Sequence, residues 1–186
     1  EKHCFQGKAI ILVGARQVGK TTLMEAVLRD IAKGRKVRRY NADNPTDREL
    51  LDNKDIDFLK GLVGEADILF IDEGQKIPSI GQTVKLLVDH YGMRLQVMVT
   101  GSSTINLLDQ TTEPLTGRKF VFHLFPLSME ERYTDGDPAR IRKELETTLL
   151  YGSYPEVVAL PSFDAKQERL IELATSAIYR DILTLF

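Results

Sequence analysis

Short apolar runs alternate with amphipathic stretches along the first 125 residues of the chain. A continuous apolar run bounded by turn residues is typical of a strand buried on both faces of a parallel sheet. Apolar residues at positions i, i+3, i+4 and i+7 indicate instead a helix with one buried face. The pattern predicts five strands, at residues 10–13, 35–40, 68–71, 94–99 and 119–125. The intervening helices, which make this an α/β domain, are predicted at residues 21–33, 46–51, 55–62, 77–92 and from residue 105.

The pattern becomes helical after residue 125. Two helices are predicted at residues 141–151 and 162–186, on either side of a break at residues 152–155. We therefore divide the chain into an α/β core, residues 1–125, and a helical lid or linker region, residues 126–186. The final residues are apolar and carry no helix stop signal, so we expect the polypeptide to continue into a further C-terminal domain.

The connection between the first strand and the first helix carries a phosphate-binding pattern. The G-x-x-x-x-G-K-[ST] pattern of a P-loop is matched by Gly14, Ala15, Arg16, Gln17, Val18, Gly19, Lys20 and Thr21. Backbone N–H groups and a helix N-terminus form the anion site of such a loop. We predict that Lys20 contacts the β- and γ-phosphates of a nucleotide, that Thr21 ligates Mg²⁺, and that Thr22 donates to the α-phosphate. A glycine-rich turn that matches by chance is disfavoured by the flanking strand and helix.

Two carboxylates, Asp72 and Glu73, follow the third predicted strand. In open α/β sheets, ligands bind outside the carboxyl ends of the strands, and the P-loop follows such an end too. We predict that Asp72 holds Mg²⁺ and that Glu73 polarises the attacking water as general base. On their own, the two residues would be interpreted as solvated charges after a strand. Together with the P-loop, they indicate a Walker A and Walker B pair.

A polar cluster ends the fourth predicted strand at Thr100, Gly101, Ser102 and Ser103. Its hydroxyls are placed to contact a γ-phosphate or the attacking water, and we take Ser102 as the candidate. Serine and threonine also favour the N-cap position of a helix, and both roles can hold.

Two basic features have more than one interpretation. Arg118 is a candidate transition-state cation, or a surface arginine before a strand. Four cations among residues 35–39 form either a nucleic-acid patch or an edge strand protected by charge, and we favour the edge strand.

Composition narrows the class of protein. The chain has 186 residues, a hydrophobic content of 42% and a net charge of −2, which is ordinary for a globular domain and gives no global attraction to nucleic acid or membrane. A single cysteine excludes an intrachain disulfide. No apolar run approaches a membrane span in length and no signal peptide opens the chain, so we expect a cytoplasmic protein.

The ordered set of motifs resembles a bacterial and archaeal group of AAA-type P-loop ATPases that carry an extra C-terminal domain, with relatives among the signal-transducing ATPases. The resemblance rests on residues 14–21, 68–75, 100–103, 115–118, 126–128, 151–158 and 179–182. It implies a three-layer α/β/α fold with a five-stranded parallel sheet of order 5-1-4-3-2. It also implies that Ser102 or Ser103 stands at the sensor-1 position and that Pro155 lies near the adenine.

The expected function is that of an ATPase that uses ATP and Mg²⁺ and acts as a nucleotide-controlled switch or remodeller. A homo-oligomer is one expected assembly of such a protein. One alternative is a nucleotide-binding module with little hydrolysis, whose further domain binds DNA or protein. The other is a small-molecule kinase, although the sequence lacks the arginine-rich lid that such kinases use. An arginine finger from another subunit or domain would serve the ATPase.

Overall fold

A computed structural model of the chain describes residues 2–53, 55–102, 115–133 and 137–183, with side chains described as far as residue 175. The chain divides into two units, Glu1–Leu124 and Phe125–Phe186. The first unit contains the sheet and the second is helical. The helix predicted from residue 105 lies outside the described residues.

Five strands form one sheet in the first unit. They are β1 Ala9–Gly14, β2 Val37–Asn41, β3 Ile68–Asp72, β4 Gln96–Gly101 and β5 Lys119–Leu124. Every pairing is parallel and the order is β2-β3-β4-β1-β5, which confirms the predicted order. Because β4 lies between β3 and β1, the residues that follow these three strands meet at one edge of the sheet.

Helices cover both faces of the sheet. They are α1 Lys20–Ile31, α2 Pro45–Leu51, α3 Ile56–Val63 and α4 Ile80–Tyr91. The predicted start of α4 at residue 77 is three residues early, because Gly74–Lys76 forms a separate 3₁₀ turn and Ser79 is the N-cap of α4.

Alternate residues of the strands enter two different cores. On one face, Ile11, Ile71 and Val99 pack with residues of α3 and α4. On the other face, Ile10, Phe70 and Met98 pack with Met24, Leu28 and Ile31 of α1. Burial on both faces explains why the central strands β1, β3 and β4 are largely apolar runs, and it confirms the three-layer α/β/α fold.

The basic strand β2 lies at the edge of the sheet, as the favoured interpretation predicted. Arg39 Nε donates to Glu25 Oε1 at 3.1 Å, and Lys36 forms an ion pair with Glu65. Since acidic side chains of the same unit pair with these cations, the run matches a charged edge strand better than a nucleic-acid patch.

In the second unit, each of the first three helices begins at residues that favour a helix N-terminus. Its helices are α5 Met129–Arg132, α6 Pro138–Tyr151, α7 Pro155–Val158 and α8 Phe163–Leu183. Ser128 and Glu131 form a capping box around α5. The α6 helix begins at Pro138, earlier than predicted, because the Asp137 carboxylate accepts from the backbone N–H of Ala139. Pro155 opens α7, within the predicted break.

The lid or linker role of this unit, and a further C-terminal domain, remain predictions.

Among the described residues, no helix combines the length and the apolar character that a membrane crossing needs.

The close approach of β1 and β5 gives a first testable prediction. A Cβ at Gly14 would collide with the carbonyl oxygen of Leu124, whereas one at the exposed helical Gly61 would meet nothing within 4 Å. We expect Gly14→Ala to lower the free energy of unfolding by about 1–3 kcal/mol through overpacking. The control Gly61→Ala should raise it by about 0.5–1 kcal/mol, because alanine has the higher helix propensity. Urea denaturation measures both, and wild-type stability of Gly14→Ala would contradict the close approach.

Candidate phosphate-binding site

A tight loop joins the end of β1 to the start of α1. Gly19, with φ of 100°, occupies the left-handed region at the N-cap of α1. Gln17 is also left-handed, with φ of 58°, although it is not glycine. Val18 is buried and anchors the loop, whereas Ala15, Arg16 and Gln17 are exposed. The loop therefore lies at the N-terminus of α1, where backbone N–H groups lack intrahelical partners and favour an anion.

Lys20 lies folded against this loop. Its side chain is 5% exposed, and Nζ donates to the carbonyl oxygens of Gly14 at 3.0 Å and Ala15 at 2.8 Å. Burial lowers the pKa of Lys20 from its ordinary value, and the negative charges of Glu73 and Asp72 oppose that shift. The ammonium group is therefore within electrostatic reach of both predicted carboxylates.

Asp72, at the end of β3, joins the loop to the centre of the sheet. Its Oδ2 accepts from Thr21 Oγ1 at 2.9 Å, and its Oδ1 accepts from Thr100 Oγ1 and from the Glu73 N–H at 3.1 Å. Thr21, Asp72 and Thr100 belong to α1, β3 and β4 respectively. The structure thus brings together the two predicted metal ligands.

The oxygens of Thr21 and Asp72 suit a magnesium ion. Mg²⁺ prefers oxygen ligands, and it is usually bound by one or two protein groups together with waters and substrate phosphates. Within the described part of the chain, no group of three or more histidine, cysteine, aspartate or glutamate side chains could hold a metal. These residues therefore fit a metal that a bound phosphate helps to hold.

Glu73 has a strained backbone, and its side chain has a specific partner. Its φ of 54° and ψ of 38° lie in the left-handed region, which is costly for a residue with a Cβ and occurs often at functional sites. Its Oε2 accepts from Gln75 Nε2 at 2.6 Å, and the same nitrogen donates to Ser102 Oγ at 2.9 Å. Ser102 is thus linked to Glu73 through Gln75. Ser103, the other sensor candidate, lies outside the described residues.

Arg118 lies away from this site in its own chain, and its role as a transition-state cation stays a prediction. It precedes β5, and the β1–β5 register pairs Ala9 with Lys119 and Gly14 with Leu124. Arg118 is therefore at the opposite end of the strands from the loop, and it forms an ion pair with Asp89. This agrees with the alternative interpretation, a surface arginine before a strand.

Pro155 belongs to the second unit, where it is the first residue of α7. Its contact with an adenine stays a prediction.

Sequence reasoning missed two contributors to the site. Thr100 was grouped with the hydroxyls that could contact phosphate, but its hydroxyl is buried against Asp72. Gln75 was not selected at all. The available signal was a polar residue directly after a predicted buried strand for Thr100, and a polar residue two positions after the Asp-Glu pair for Gln75. Only the three-dimensional contacts give each of them a role.

The parallel sheet, its strand order, the loop between β1 and α1 and the acidic pair after β3 together define a P-loop NTPase fold. Residues 6–133 match the family described as AAA domain, and the chain belongs to this family. Membership of the family supports a nucleotide-binding function of the ATPase type.

Similar sequences occur in both bacteria and archaea. Uncharacterised proteins of Mycobacterium bovis and Mycobacterium tuberculosis are each 31% identical over 122 residues, which is 66% of this chain and 26% of each relative. An uncharacterised protein of Methanocaldococcus jannaschii is 27% identical over 126 residues, which is 62% of this chain and 28% of the relative. The chain thus spans about a quarter of the length of these curated relatives.

Solved structures with a similar fold include a Walker-type ATPase of Pyrococcus abyssi, with a TM-score of 0.58 and 17% identity. That match covers 99% of this chain and 71% of the other. AMPPCP-bound DnaA from Aquifex aeolicus matches with a TM-score of 0.54 and 16% identity, over 86% of this chain and 57% of the other. At these identities the similarity concerns the fold.

The buried hydroxyl of Thr100 gives a second prediction. Thr100→Val keeps the shape of the side chain but removes the donor to Asp72, so we expect a loss of about 1.5–3 kcal/mol in the free energy of unfolding. Thr100→Ser retains the hydroxyl and is the matched control, with a smaller loss. Chemical denaturation compares the two variants. A loss for Thr100→Val that is no larger than the loss for Thr100→Ser would contradict the dominant contribution of the hydrogen bond to Asp72.

Proposed function

We propose that this chain binds ATP together with Mg²⁺ and hydrolyses it. The observation that carries the proposal is the meeting of Lys20, Thr21, Asp72 and Glu73 at one edge of the sheet. Hydrolysis of a triphosphate requires a cation for the phosphate charge, oxygen ligands for a metal and a group that orients water. These four side chains supply all three.

In this proposal the loop binds the phosphates. Backbone N–H groups at the N-terminus of α1 donate to phosphate oxygens, and Lys20 exchanges its two carbonyl partners for the β- and γ-phosphates. Thr22, exposed in the first turn of α1, donates to the α-phosphate. The nucleotide-binding residues are Gly14, Ala15, Arg16, Gln17, Val18, Gly19, Lys20, Thr21 and Thr22.

The metal would be held by Thr21 Oγ1 and by Asp72, directly or through water. When bound, Mg²⁺ supplies positive charge that offsets the phosphate charge. The hydrogen bond from Thr100 keeps the Asp72 carboxylate directed toward α1.

Glu73 is the proposed general base, and Ser102 is the proposed polar contact to the γ-phosphate or the water. A base must lie near the water that it polarises, so the direction of the Glu73 carboxylate decides its efficiency.

An apolar pocket between α1 and the sheet is a candidate for the base of the nucleotide. It has a volume of about 370 Å³ and is lined by Leu23, Met24 and Val27 of α1, by Leu124 and by residues near the start of the chain. Its apolar walls suit a flat ring. The sequence contains no Asn-Lys-x-Asp motif for reading guanine, which favours ATP.

The coupled process is proposed to be a nucleotide-controlled switch or remodeller. Since the chain spans about a quarter of its curated relatives, a DNA or protein client would be engaged by other parts of a longer polypeptide. A homo-oligomer is compatible with this proposal. The placement of Arg118 favours a second candidate, a nucleotide-binding module with little hydrolysis, because this arginine lies at the opposite end of the strands from the loop of its own chain.

The division of roles predicts two different defects. Lys20→Ala should weaken ATP binding by about 10–100-fold, because charge-assisted hydrogen bonds to phosphate are lost. Glu73→Gln should bind ATP normally but hydrolyse it about 10²–10⁴-fold more slowly, because the base is lost. Titration with a fluorescent ATP analogue and a phosphate-release assay separate the two effects.

The matched control for Lys20→Ala is Lys33→Ala, since Lys33 is an exposed lysine beyond the end of α1. Unchanged ATP affinity of Lys20→Ala would contradict the role of the loop. Wild-type hydrolysis by Glu73→Gln would remove Glu73 as the base.

Because Arg118 lies at the opposite end of the strands from the loop, its replacement should not affect ATP binding. Arg118→Ala should leave ATP affinity within about twofold of wild type, because exposed charges further apart than roughly 10 Å are largely screened by salt. If a second copy of the chain uses this arginine, the hydrolysis rate per chain will rise with protein concentration in the wild type only. A tenfold loss of ATP affinity in Arg118→Ala would contradict its placement at the far end of β5.

A further inference from the structure

Gln75 uses its amide group to connect two candidate site residues. Its Nε2 donates to Glu73 Oε2 at 2.6 Å and to Ser102 Oγ at 2.9 Å, and its Oε1 accepts from the Ser102 N–H at 3.2 Å. A glutamine amide offers two N–H donors, so both are used. Resting on the proposed ATPase function, we infer that Gln75 is a positioning residue that sets the direction of the Glu73 carboxylate relative to the end of β4.

The backbone and the side chain of Glu73 are held by different partners. The backbone N–H donates to Asp72 Oδ1 at 3.1 Å and to Thr100 Oγ1 at 3.2 Å. Among the described residues, the carboxylate has a hydrogen bond from Gln75. Loss of this bond therefore leaves the backbone in place but allows the carboxylate to turn.

The turn that carries Gln75 is packed directly against β4. Gly74 is buried, and a Cβ at this position would collide with the side chain of Val99. This contact brings the 3₁₀ turn Gly74–Lys76 beside the end of β4, where Ser102 follows. The link from Glu73 to Ser102 is therefore a consequence of the fold and not of two side chains meeting in solvent.

The arrangement predicts an effect on turnover and not on binding. Gln75 hydrogen-bonds Glu73 and Ser102, and neither belongs to the loop, whose backbone and Lys20 make most of the phosphate contacts in the proposal. A base that is held in one direction accepts a proton from a water at a defined place, whereas a turning base is oriented only part of the time. Loss of the Gln75 amide should therefore lower kcat and leave the nucleotide affinity unchanged.

The test compares two leucine substitutions in this chain. Gln75→Leu has nearly the same volume but no amide, and should lower kcat by about tenfold or more while the Kd for ATP stays within about twofold. Gln82→Leu is the matched control, because Gln82 is also a half-buried glutamine of the same unit, and lies on α4 outside the site. It should hydrolyse ATP at the wild-type rate. A wild-type kcat for Gln75→Leu would overturn the inference.

A double variant tests whether Gln75 acts through Glu73. In the Glu73→Gln background, Gln75→Leu should cause no further loss of kcat, since the carboxylate that it directs is already gone. A further loss as large as in the wild-type background would overturn the inference and assign Gln75 a separate role.

A shorter amide gives a second readout if Gln75→Leu does not fold. Gln75→Asn keeps an amide but lacks the methylene that carries it to Glu73, so kcat should fall while the Kd for ATP stays within about twofold. A wild-type kcat for Gln75→Asn would overturn the inference. The proposed function fails separately: absence of hydrolysis by the wild type, or a wild-type rate for Glu73→Gln, would reject the ATPase proposal whatever Gln75 does.

Discussion

The geometry of the site depends on the hydrogen bonds that the Asp72 carboxylate accepts. Its two oxygens accept hydrogen bonds from Thr21 of α1, from Thr100 of β4 and from the adjacent Glu73 N–H. One side chain thus fixes the start of a helix against the ends of two strands. Because Thr100 is fully buried, water does not compete for its hydroxyl, and the bond is worth more than one at the surface. The distance between the loop and the Glu73 carboxylate is set by this junction.

Much of the fold could be predicted because each central strand is buried on both faces and reads as a continuous apolar run. The strands at Ala9–Gly14 and Ile68–Asp72 are of this kind in the sequence, and both form close to the predicted residues. Strand order is different, because it depends on pairings between distant residues that local periodicity does not encode. It came from the family resemblance. Boundaries failed where a cap or a short 3₁₀ turn intervened, as before Ile80 and at Pro138.

The same distinction applies to the site. The residues from Gly14 to Thr21 and the Asp72–Glu73 pair are contiguous patterns with a chemical meaning, so the sequence is sufficient to propose them. Arg118 kept two interpretations in the sequence, because its distance from the loop depends on the direction of β5, which places it at the opposite end of the strands. Thr100 and Gln75 act through contacts across 28 and 27 residues, and a residue type alone does not reveal such a contact.

The two carbonyl oxygens that hold Lys20 have a consequence for ligand selection. In the proposed function, the Lys20 ammonium holds the loop backbone through these two carbonyl oxygens, so binding of a phosphate would cost little backbone entropy. To contact a phosphate, the Lys20 ammonium would first have to break its hydrogen bonds to these two neutral carbonyl oxygens. A ligand with one phosphate would offset little more than the two hydrogen bonds that Lys20 loses. A polyphosphate would accept several charge-assisted hydrogen bonds at once. In the proposed function, the loop would therefore favour polyphosphates over ligands with a single phosphate.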